Sequence, residues 1–239
     1  GPVLVLYNAP SPGAGESEAG ILWEVEAVVA SLQHLGVPHV AIGLRDLADL
    51  PPALSRHPAR IAINLVEGFQ HDPNDMTLVP AVCRAFGVEV TGSDTPCLSL
   101  VLDKWKIKTV LAAAGIRCPA AVLVPVGQPV PATGLPIGSC IVKPVAADAS
   151  EGIDAHSIVD SASPVLNDLV RKIHDQFKQP ALIEEMVGRR ELNISVLQIG
   201  GAVQVLPLAE IDFSAFGADR PRIVGYAAKW DMDSFEYLN

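Results

Sequence analysis

The sequence is short of cations and has no long apolar run, and each shortage argues against a class of protein. Seventeen Lys and Arg residues stand against 27 Asp and Glu residues, for a formal net charge of −10. A general binder of nucleic acid or anionic membrane needs clustered cations, so we expect neither partner. No apolar run approaches the roughly 18–20 residues of a membrane span. The first residues show no signal-peptide pattern, and Gly1-Pro2 looks like a cleavage scar, so we expect a cytoplasmic protein.

Several short motifs are missing as well. The four cysteines form no CxxC pair and no histidine spacing resembles HExxH, which argues against a zinc site. We expect all four cysteines to be reduced thiols in the core of a cytosolic protein. No GxxxxGK[ST] motif occurs, and Glu18 stands where GxGxxG would need a third glycine after Gly13 and Gly15. The turn at residues 13–15 is therefore expected to be an ordinary strand–helix turn.

The sequence does have ample apolar material for a core. Hydrophobic residues make up 49% of its 239 residues, which excludes wholesale disorder. This length exceeds one typical domain and is short for two, so a compact body of two or three lobes is expected.

Apolar periodicity predicts two regions with different kinds of sheet along the chain. In the first third, short apolar runs typical of strands alternate with segments whose apolar residues recur at helical spacing. This alternation predicts a parallel sheet covered on both faces. A long helix is expected from Thr95-Pro96 to Gly115. The second half contains strand-like runs and the hairpin signal Gly200-Gly201, which predict an antiparallel α+β region. We place the boundary near residue 118.

Three segments of the second half carry candidate binding groups. Lys143 ends an apolar strand, where it is either a phosphate ligand or an edge charge that reaches solvent. Residues 146–152 are small, so they form either a loop that folds over a polyanion or a plain hairpin tip. Glu184, Glu185 and Glu191 stand at strand ends, as acceptors for an adenine amine and ribose hydroxyls or as solvated charges.

In chain order, these segments resemble the ATP-grasp superfamily, and within it the D-alanine–D-alanine ligase group. Residues 182–192 are similar to the group's "l-I-E-e…G-r-E-l" stretch, and residues 226–230 are similar to its "Y-x-A-K-Y" loop. The resemblance is carried by seven segments: 63–68, 79–93, 102–119, 142–153, 182–192, 206–211 and 226–230.

The resemblance implies an α/β protein with the ATP-grasp fold, in which an N-terminal parallel α/β domain precedes α+β nucleotide-binding lobes. The implied domains are residues 1–94, a connecting helix over 95–118, a small lobe over 119–187 and the incomplete start of a large lobe over 188–239. It implies an ATP-dependent carboxylate–amine ligase that works through an acyl phosphate. ATP and Mg²⁺ are the implied cofactors, small amino-acid-like molecules the substrates, and a homodimer the assembly common in the group.

At the phosphate end of the nucleotide, the resemblance implies roles for four residues. Lys104 and Lys143 would contact the phosphates, and Ser150 with its neighbouring amides would close over them. Lys229 would approach the transferred phosphate from a mobile lid loop. Lys143 and Lys229 are therefore the implied catalytic residues, because compact positive charge suits phosphoryl transfer.

At the other end, the implied contacts are to the base, the ribose and the substrate. Glu184 would accept a hydrogen bond from the adenine amine, while the backbone from Glu185 to Val187 would line the base. Glu191 would hold the ribose. Glu67 and Trp230 are the implied substrate-binding residues.

The sequence also departs from the group's pattern. The phosphate loop often reads G-S-S-x-G, but residues 148–152 read D-A-S-E-G, and Trp230 replaces a common tyrosine. Residues 15–18 are only a loose analogue of the group's "E-x-x-V-S" element. These departures weaken the expectation of D-alanine as substrate.

The group's metal ligands follow its lid loop, so we expect them beyond Asn239, in a longer chain of which this is a fragment. The alternative is a nucleotide-binding module or remnant without ligase activity. A third interpretation is an α/β protein that binds a metabolite without nucleotide.

Overall fold

The computed structural model describes residues 1–11, 20–69, 73–217 and 220–239. The predicted turn at residues 13–15, Glu18 and the loose analogue at residues 15–18 lie outside this part of the chain. The chain divides into two compact units, residues 1–103 and 104–239, and each is described separately. Within the described residues, no helix combines the length and the apolar character that a membrane crossing requires.

The first unit is built on a four-stranded parallel sheet in the order β2-β1-β3-β4, as the alternation of strands and helices predicts. Leu4, Val5 and Leu6 of the central strand β1 are all fully buried, because a parallel strand covered on both faces exposes neither side. The elements in chain order are β1 (Val3–Asn8), α1 (Ile21–His34), β2 (His39–Leu44), a 3₁₀ turn (Leu47–Asp49), α2 (Leu50–Arg56), β3 (Ile61–Leu65), a 3₁₀ turn (Pro73–Leu78), α3 (Val79–Ala85), β4 (Glu89–Val90) and α4 (Thr95–Leu102).

The second unit is built on a four-stranded sheet in the order β5-β8-β6-β7, in which every pairing is antiparallel, as predicted. Two smaller antiparallel pairs, β10–β11 and β9–β12, follow it. The elements in chain order are α5 (Lys104–Ala113), β5 (Ala121–Val124), β6 (Ser139–Pro144), a 3₁₀ turn (Ala155–Ser157), β7 (Ile158–Asp160), α6 (Leu166–Phe177), β8 (Ala181–Glu185), β9 (Leu192–Asn193), β10 (Val196–Ile199), β11 (Ala202–Val205), β12 (Ala209–Glu210), α7 (Tyr226–Trp230) and α8 (Phe235–Leu238).

Helix α6 forms the core of the second unit by packing one apolar face on the sheet. Leu166, Val170 and Ile173 recur at helical spacing, and they lie in one buried cluster with Val142 of β6 and Ile183 of β8. This packing anchors the two strands that carry the candidate site.

The predicted single helix from Thr95 to Gly115 is wrong in one respect, because the chain breaks it at Asp103. Asp103 is extended, with φ −94° and ψ 104°, so α4 ends at Leu102 and α5 starts at Lys104. The backbone N–H of Lys104 donates to the carbonyl of Val145 at 3.0 Å. A tertiary hydrogen bond thus replaces a helical one at this position.

The predicted hairpin at Gly200-Gly201 is confirmed. Both glycines have positive φ, +57° and +82°, which is the conformation that a two-residue type I′ turn demands. The register pairs Val196 with Val205 and Ile199 with Ala202, and every residue of both strands is exposed. Strand β10 is preceded by the short separate strand β9.

The cysteines are all free, but not all are buried. Burial raises the pKa of the Cys83 thiol to about 11. Burial, with a smaller contribution from Asp160, also raises the pKa of Cys140. Cys118 is half-buried and Cys97 is exposed, so the prediction of four core thiols is wrong for Cys97. That residue lies in the first turn of α4.

Candidate functional site

The pairing of β6 with β8 brings a lysine and a glutamate together. Ile141 lies opposite Glu184 and Lys143 lies opposite Leu182, so Lys143 and Glu184 are diagonal neighbours on one face of the sheet. The Lys143 ammonium forms an ion pair with Oε2 of Glu184. The Lys143 side chain is 18% exposed and that of Glu184 is 11% exposed, so the pair is largely withdrawn from water.

A second lysine, Lys108, contacts the other carboxylate oxygen of Glu184. Lys108 of α5 donates to Oε1 of Glu184 and, at 2.7 Å, to the carbonyl of Pro119. Its side chain is 14% exposed. Sequence analysis did not assign Lys108 a role, although it lies four residues after Lys104 and therefore on the same face of a helix. That spacing is the signal that would have identified it.

The charge state of Glu184 follows from this arrangement. Burial by itself disfavours the ionised form and acts to raise the pKa. The charge of Lys143 and the hydrogen bonds from Lys108 and Lys143 act in the opposite direction and outweigh it, so the pKa of Glu184 lies below its ordinary value. Glu184 is therefore a buried carboxylate held ionised by two ammonium groups.

Lys104 contacts the loop of small residues that follows β6. Its ammonium donates to the carbonyl of Ala147 at 2.5 Å. The side chain of Gln179 secures the start of the loop, accepting from the N–H of Ala146 at 2.5 Å and donating to its carbonyl at 3.2 Å. The loop is thus attached both to α5 and to the segment between α6 and β8.

The backbone of this loop is strained. Ala149 and Ser150 have φ values of +52° and +62°, which residues with a side chain rarely adopt, and Gly152 has φ +72°. A Cβ at Gly152 would lie 2.8 Å from the ring of Phe177, so only glycine fits there. Strain of this kind persists where neighbouring contacts hold it, and it is frequent at ligand-binding loops.

Residues 224–230 supply such contacts. The Ser150 hydroxyl donates to the carbonyl of Val224 at 2.8 Å, and the indole N–H of Trp230 donates to the carbonyl of Ala149 at 3.1 Å. The N–H of Tyr226 donates to the carbonyl of Ile153 at 2.9 Å. Helix α7 is therefore seated on the strained loop.

Several curated proteins are similar to this chain in sequence. No family model matches the chain. An uncharacterized protein, y4sG, of Sinorhizobium fredii is 29% identical over 78% of this chain and 55% of its own length. The D-alanine–D-alanine ligase of Citrifermentans bemidjiense is 26% identical over 80% of this chain and 59% of its own. That of Chromohalobacter salexigens is 28% identical over 100% of this chain and 68% of its own.

Solved structures agree in fold. The D-alanine–D-alanine ligase of Bacillus anthracis complexed with ATP has a TM-score of 0.67 at 18% identity, over 89% of this chain and 66% of that one. The ligase of Coxiella burnetii has a TM-score of 0.66 at 14% identity, over 88% and 71%. The chain is similar in sequence to curated D-alanine–D-alanine ligases. It has the ATP-grasp fold that the sequence resemblance implies. The chain spans between half and two thirds of the length of the first two curated relatives, at 55% and 59%.

The structure places the other residues implied by the resemblance as follows. Glu185 accepts from the N–H of Ala120 at 3.2 Å, and Val187 is 52% exposed just beyond β8. Glu191 accepts from the N–H of Val224 at 2.9 Å, so it secures the start of the segment that leads to α7. These residues all belong to the second unit, with the lysine cluster.

Lys229 and Glu67 lie in different units of the chain. Lys229 is exposed on α7, beside Trp230. Glu67 is exposed and belongs to the first unit, where its N–H donates to Oδ1 of Asn8 at 2.8 Å. Among the described residues, no group of three or more His, Cys, Asp or Glu side chains is placed to hold a metal ion.

The strained loop after β6 also carries two acids, Asp148 and Glu151. Burial raises the pKa of Glu151, and the nearby charge of Asp148 raises it further. Both lie within the residues that would face phosphates according to the resemblance. They reduce the positive potential that Lys104 and Lys143 supply there.

Proposed function

We propose that this protein is an ATP-dependent carboxylate–amine ligase similar to D-alanine–D-alanine ligase. The observation that carries the proposal is the buried cluster in which Lys143 and Lys108 meet Glu184, next to a strained loop that Lys104 contacts. A cluster of lysines beside a loop with available amides is suited to a polyphosphate. Its relative from Bacillus anthracis is complexed with ATP, which supports the same ligand here.

The phosphate end of the proposed site is formed by Lys104, Lys143 and the amides around Ser150. In the structure, Lys143 is engaged by Glu184 and Ser150 by Val224. These groups would turn toward the phosphates when the nucleotide is bound. Lys229, at the exposed end of α7, would then neutralise charge on the transferred phosphoryl group.

The base end is formed by Glu184 and the residues that follow it. Glu184 would accept from the adenine amine, the backbone over residues 185–187 would line the ring, and Glu191 would hold the ribose hydroxyls. Trp230 and Glu67 would contact the amino-acid-like substrate. A cytoplasmic location and a homodimeric assembly belong to the same proposal.

The proposed reaction transfers one phosphoryl group and then forms an amide. The substrate carboxylate attacks the terminal phosphorus of ATP, an O–P bond forms, and ADP leaves. The amine of the second substrate attacks the acyl carbon, loses a proton and displaces inorganic phosphate. The protein supplies orientation and positive charge rather than a covalent nucleophile. Mg²⁺ is implied by the resemblance, but the described residues contain no group of three His, Cys, Asp or Glu side chains that could hold it.

A nucleotide-binding module without ligase activity is the second candidate. The presence of Asp148 and Glu151 in the loop favours it, because these acids oppose the charge that phosphoryl transfer requires.

The test is phosphate release from Mg-ATP by the full chain, alone and with D-alanine or each of a panel of amino acids, beside calorimetric titration with ATP. Release that depends on D-alanine supports the named ligase, and release with another amino acid keeps the chemistry and changes the substrate. Binding without release supports the module. Absence of ATP binding would refute both candidates.

A matched pair of variants locates the site. Lys143→Met is expected to weaken ATP binding at least tenfold, because one charge-assisted contact is lost. Lys172→Met is the control, since Lys172 is an exposed lysine whose partner is Asp154. Equal affinities of the two variants would move the nucleotide away from this cluster.

A further inference from the structure

Lys108 belongs to the cluster that carries the proposed function, but that function gives it no contact with the nucleotide or the substrate. Its ammonium is mostly buried and contacts Oε1 of Glu184 and the carbonyl of Pro119. Lys143 occupies the other oxygen, Oε2. Each oxygen of Glu184 thus has one ammonium partner, and each has a lone pair left for one more donor.

The protonation state of Glu184 decides which base it recognises. An ionised carboxylate only accepts hydrogen bonds, whereas a protonated carboxyl also donates. Adenine presents an amine donor at position 6, and guanine presents an oxygen acceptor there. An ionised Glu184 therefore attracts adenine and repels guanine, and a protonated Glu184 would tolerate both.

Two charges hold Glu184 ionised against the effect of burial. They come from α5, through Lys108, and from β6, through Lys143, while β5 opposes Glu184 with the uncharged Ala121. Lys143 is the residue expected to turn toward the phosphates. Lys108, tied also to Pro119, is then the remaining counterion of Glu184 when nucleotide is bound.

We infer that Lys108 is a positioning residue that makes the site selective for adenine over guanine, because it holds Glu184 as a carboxylate that accepts but does not donate. The inference rests on the proposed function, since it requires a nucleotide whose base reaches Glu184. Lys108 does not touch the nucleotide itself, so its removal should change which base is preferred more than it changes contacts to the phosphates.

The experiment compares dissociation constants for ATP and GTP, by calorimetry on the full chain, in the wild type and in Lys108→Met. We expect the wild type to prefer ATP and the variant to lose tenfold or more of that preference, about the worth of one hydrogen bond to a charged group. Lys108→Arg keeps the positive charge and should restore the preference. Lys106→Met, at an exposed position on the same helix, should leave it unchanged.

A second measurement follows Glu184 directly. Carboxyl ¹³C NMR, assigned with Glu184→Gln, should show Glu184 titrating at higher pH in Lys108→Met than in the wild type. If Lys108→Met does not fold, Lys108→Gln replaces it, because glutamine keeps a hydrogen-bond donor without the charge and the same two changes are expected.

The outcomes separate the inference from the function. A wild type that binds ATP, with an unchanged ATP-to-GTP ratio in the Lys108 variants, overturns the inference and leaves the function standing. A wild type that binds neither nucleotide overturns the function and the inference with it. A wild type that binds ATP and GTP equally, with Glu184 ionised, overturns the inference alone.

Discussion

Residues 104–239 contain a buried cluster of opposite charges and, among their exposed ion pairs, one that is joined by two hydrogen bonds. In the first, Lys108 and Lys143 meet Glu184, and no side chain of the three is more than 18% exposed. In the second, Arg190 donates to both oxygens of Glu210 at 2.6 and 2.7 Å, but the two side chains are 70% and 43% exposed. The exposed pair has the two-pronged geometry that is usually described as strong.

The comparison shows that burial, not geometry, decides how much each cluster matters. If one partner of Arg190–Glu210 is removed, water replaces it at once. If Glu184 is removed, two ammonium groups remain in a site with little water, which is costly because no solvent compensates their charge. Buried charge is retained in proteins mainly where a ligand or a specific arrangement needs it, which is why the first cluster is the candidate site.

The largest effect is expected from Glu184→Ala. The free energy of unfolding should fall by about 3–5 kcal/mol, the usual cost of leaving a buried charge without its partner. Urea unfolding monitored by tryptophan fluorescence would measure it, with Glu210→Ala as the matched control. A shift no larger than that of the control would show that the buried cluster is as solvated as the exposed pair.

Acid should have the next largest effect. The pKa of Glu184 is lowered by folding, so its contribution to stability is complete above the unfolded value of about 4.3 and is lost as pH falls through the lower folded pKa. Between pH 7 and pH 3, the wild type should therefore lose more stability than Glu184→Gln. Urea midpoints of the two proteins at four pH values test this. Parallel pH profiles would mean that Glu184 is not held ionised by its neighbours.

Salt should have a smaller effect, which differs between the exposed pair and the buried cluster. The hydrogen bonds from Arg190 lower the pKa of Glu210, and this exposed pair should weaken in 1 M NaCl, where the screening length is about 3 Å. The pKa of Glu210 should therefore rise with salt, while that of Glu184 should change less. Carboxyl ¹³C titrations at 0.1 and 1 M NaCl report both residues in one sample. A larger response of Glu184 would contradict the assignment of the clusters.

The smallest effect is expected from Arg190→Ala. Because both partners are exposed, the urea midpoint should stay within the error of the measurement. The double variant with Glu210→Ala should add nothing further. A clear destabilisation that disappears in the double variant would show that the exposed Arg190–Glu210 pair also supports the fold. The buried cluster and the exposed pair would then not differ in their effect on stability.

Much of the fold could be predicted because it depends on local periodicity. Strand β8 (Ala181–Glu185) follows from a local pattern, since a short apolar run ends there in two acids. The hairpin at Gly200-Gly201 follows from the one turn type that suits two glycines. The break at Asp103 could not be predicted, because the hydrogen bond between Lys104 and Val145 that favours it joins residues far apart in sequence.

The candidate site divides in the same way. Lys143, Glu184 and Lys104 were identified from their places in motifs, each within a few residues of a strand end or helix start. Lys108 lies in the same motif segment as Lys104, but it was given no role, because its partner Glu184 lies 76 positions away and only the fold brings the two together. The seating of Trp230 on Ala149, 81 positions apart, was also not foreseen.

The amino-acid sequence by itself determined which segments form helices and strands, that one sheet is parallel and the other antiparallel, and the family resemblance. It could do so because apolar spacing and turn residues act between neighbours in the sequence. Only the tertiary structure decided the chemistry of the cluster. Whether a lysine and a glutamate meet, and whether water reaches them, depends on how α5 packs against β6 and β8. The state of Glu184 is set there, because burial and two ammonium groups act on it together and neither is a property of its local sequence.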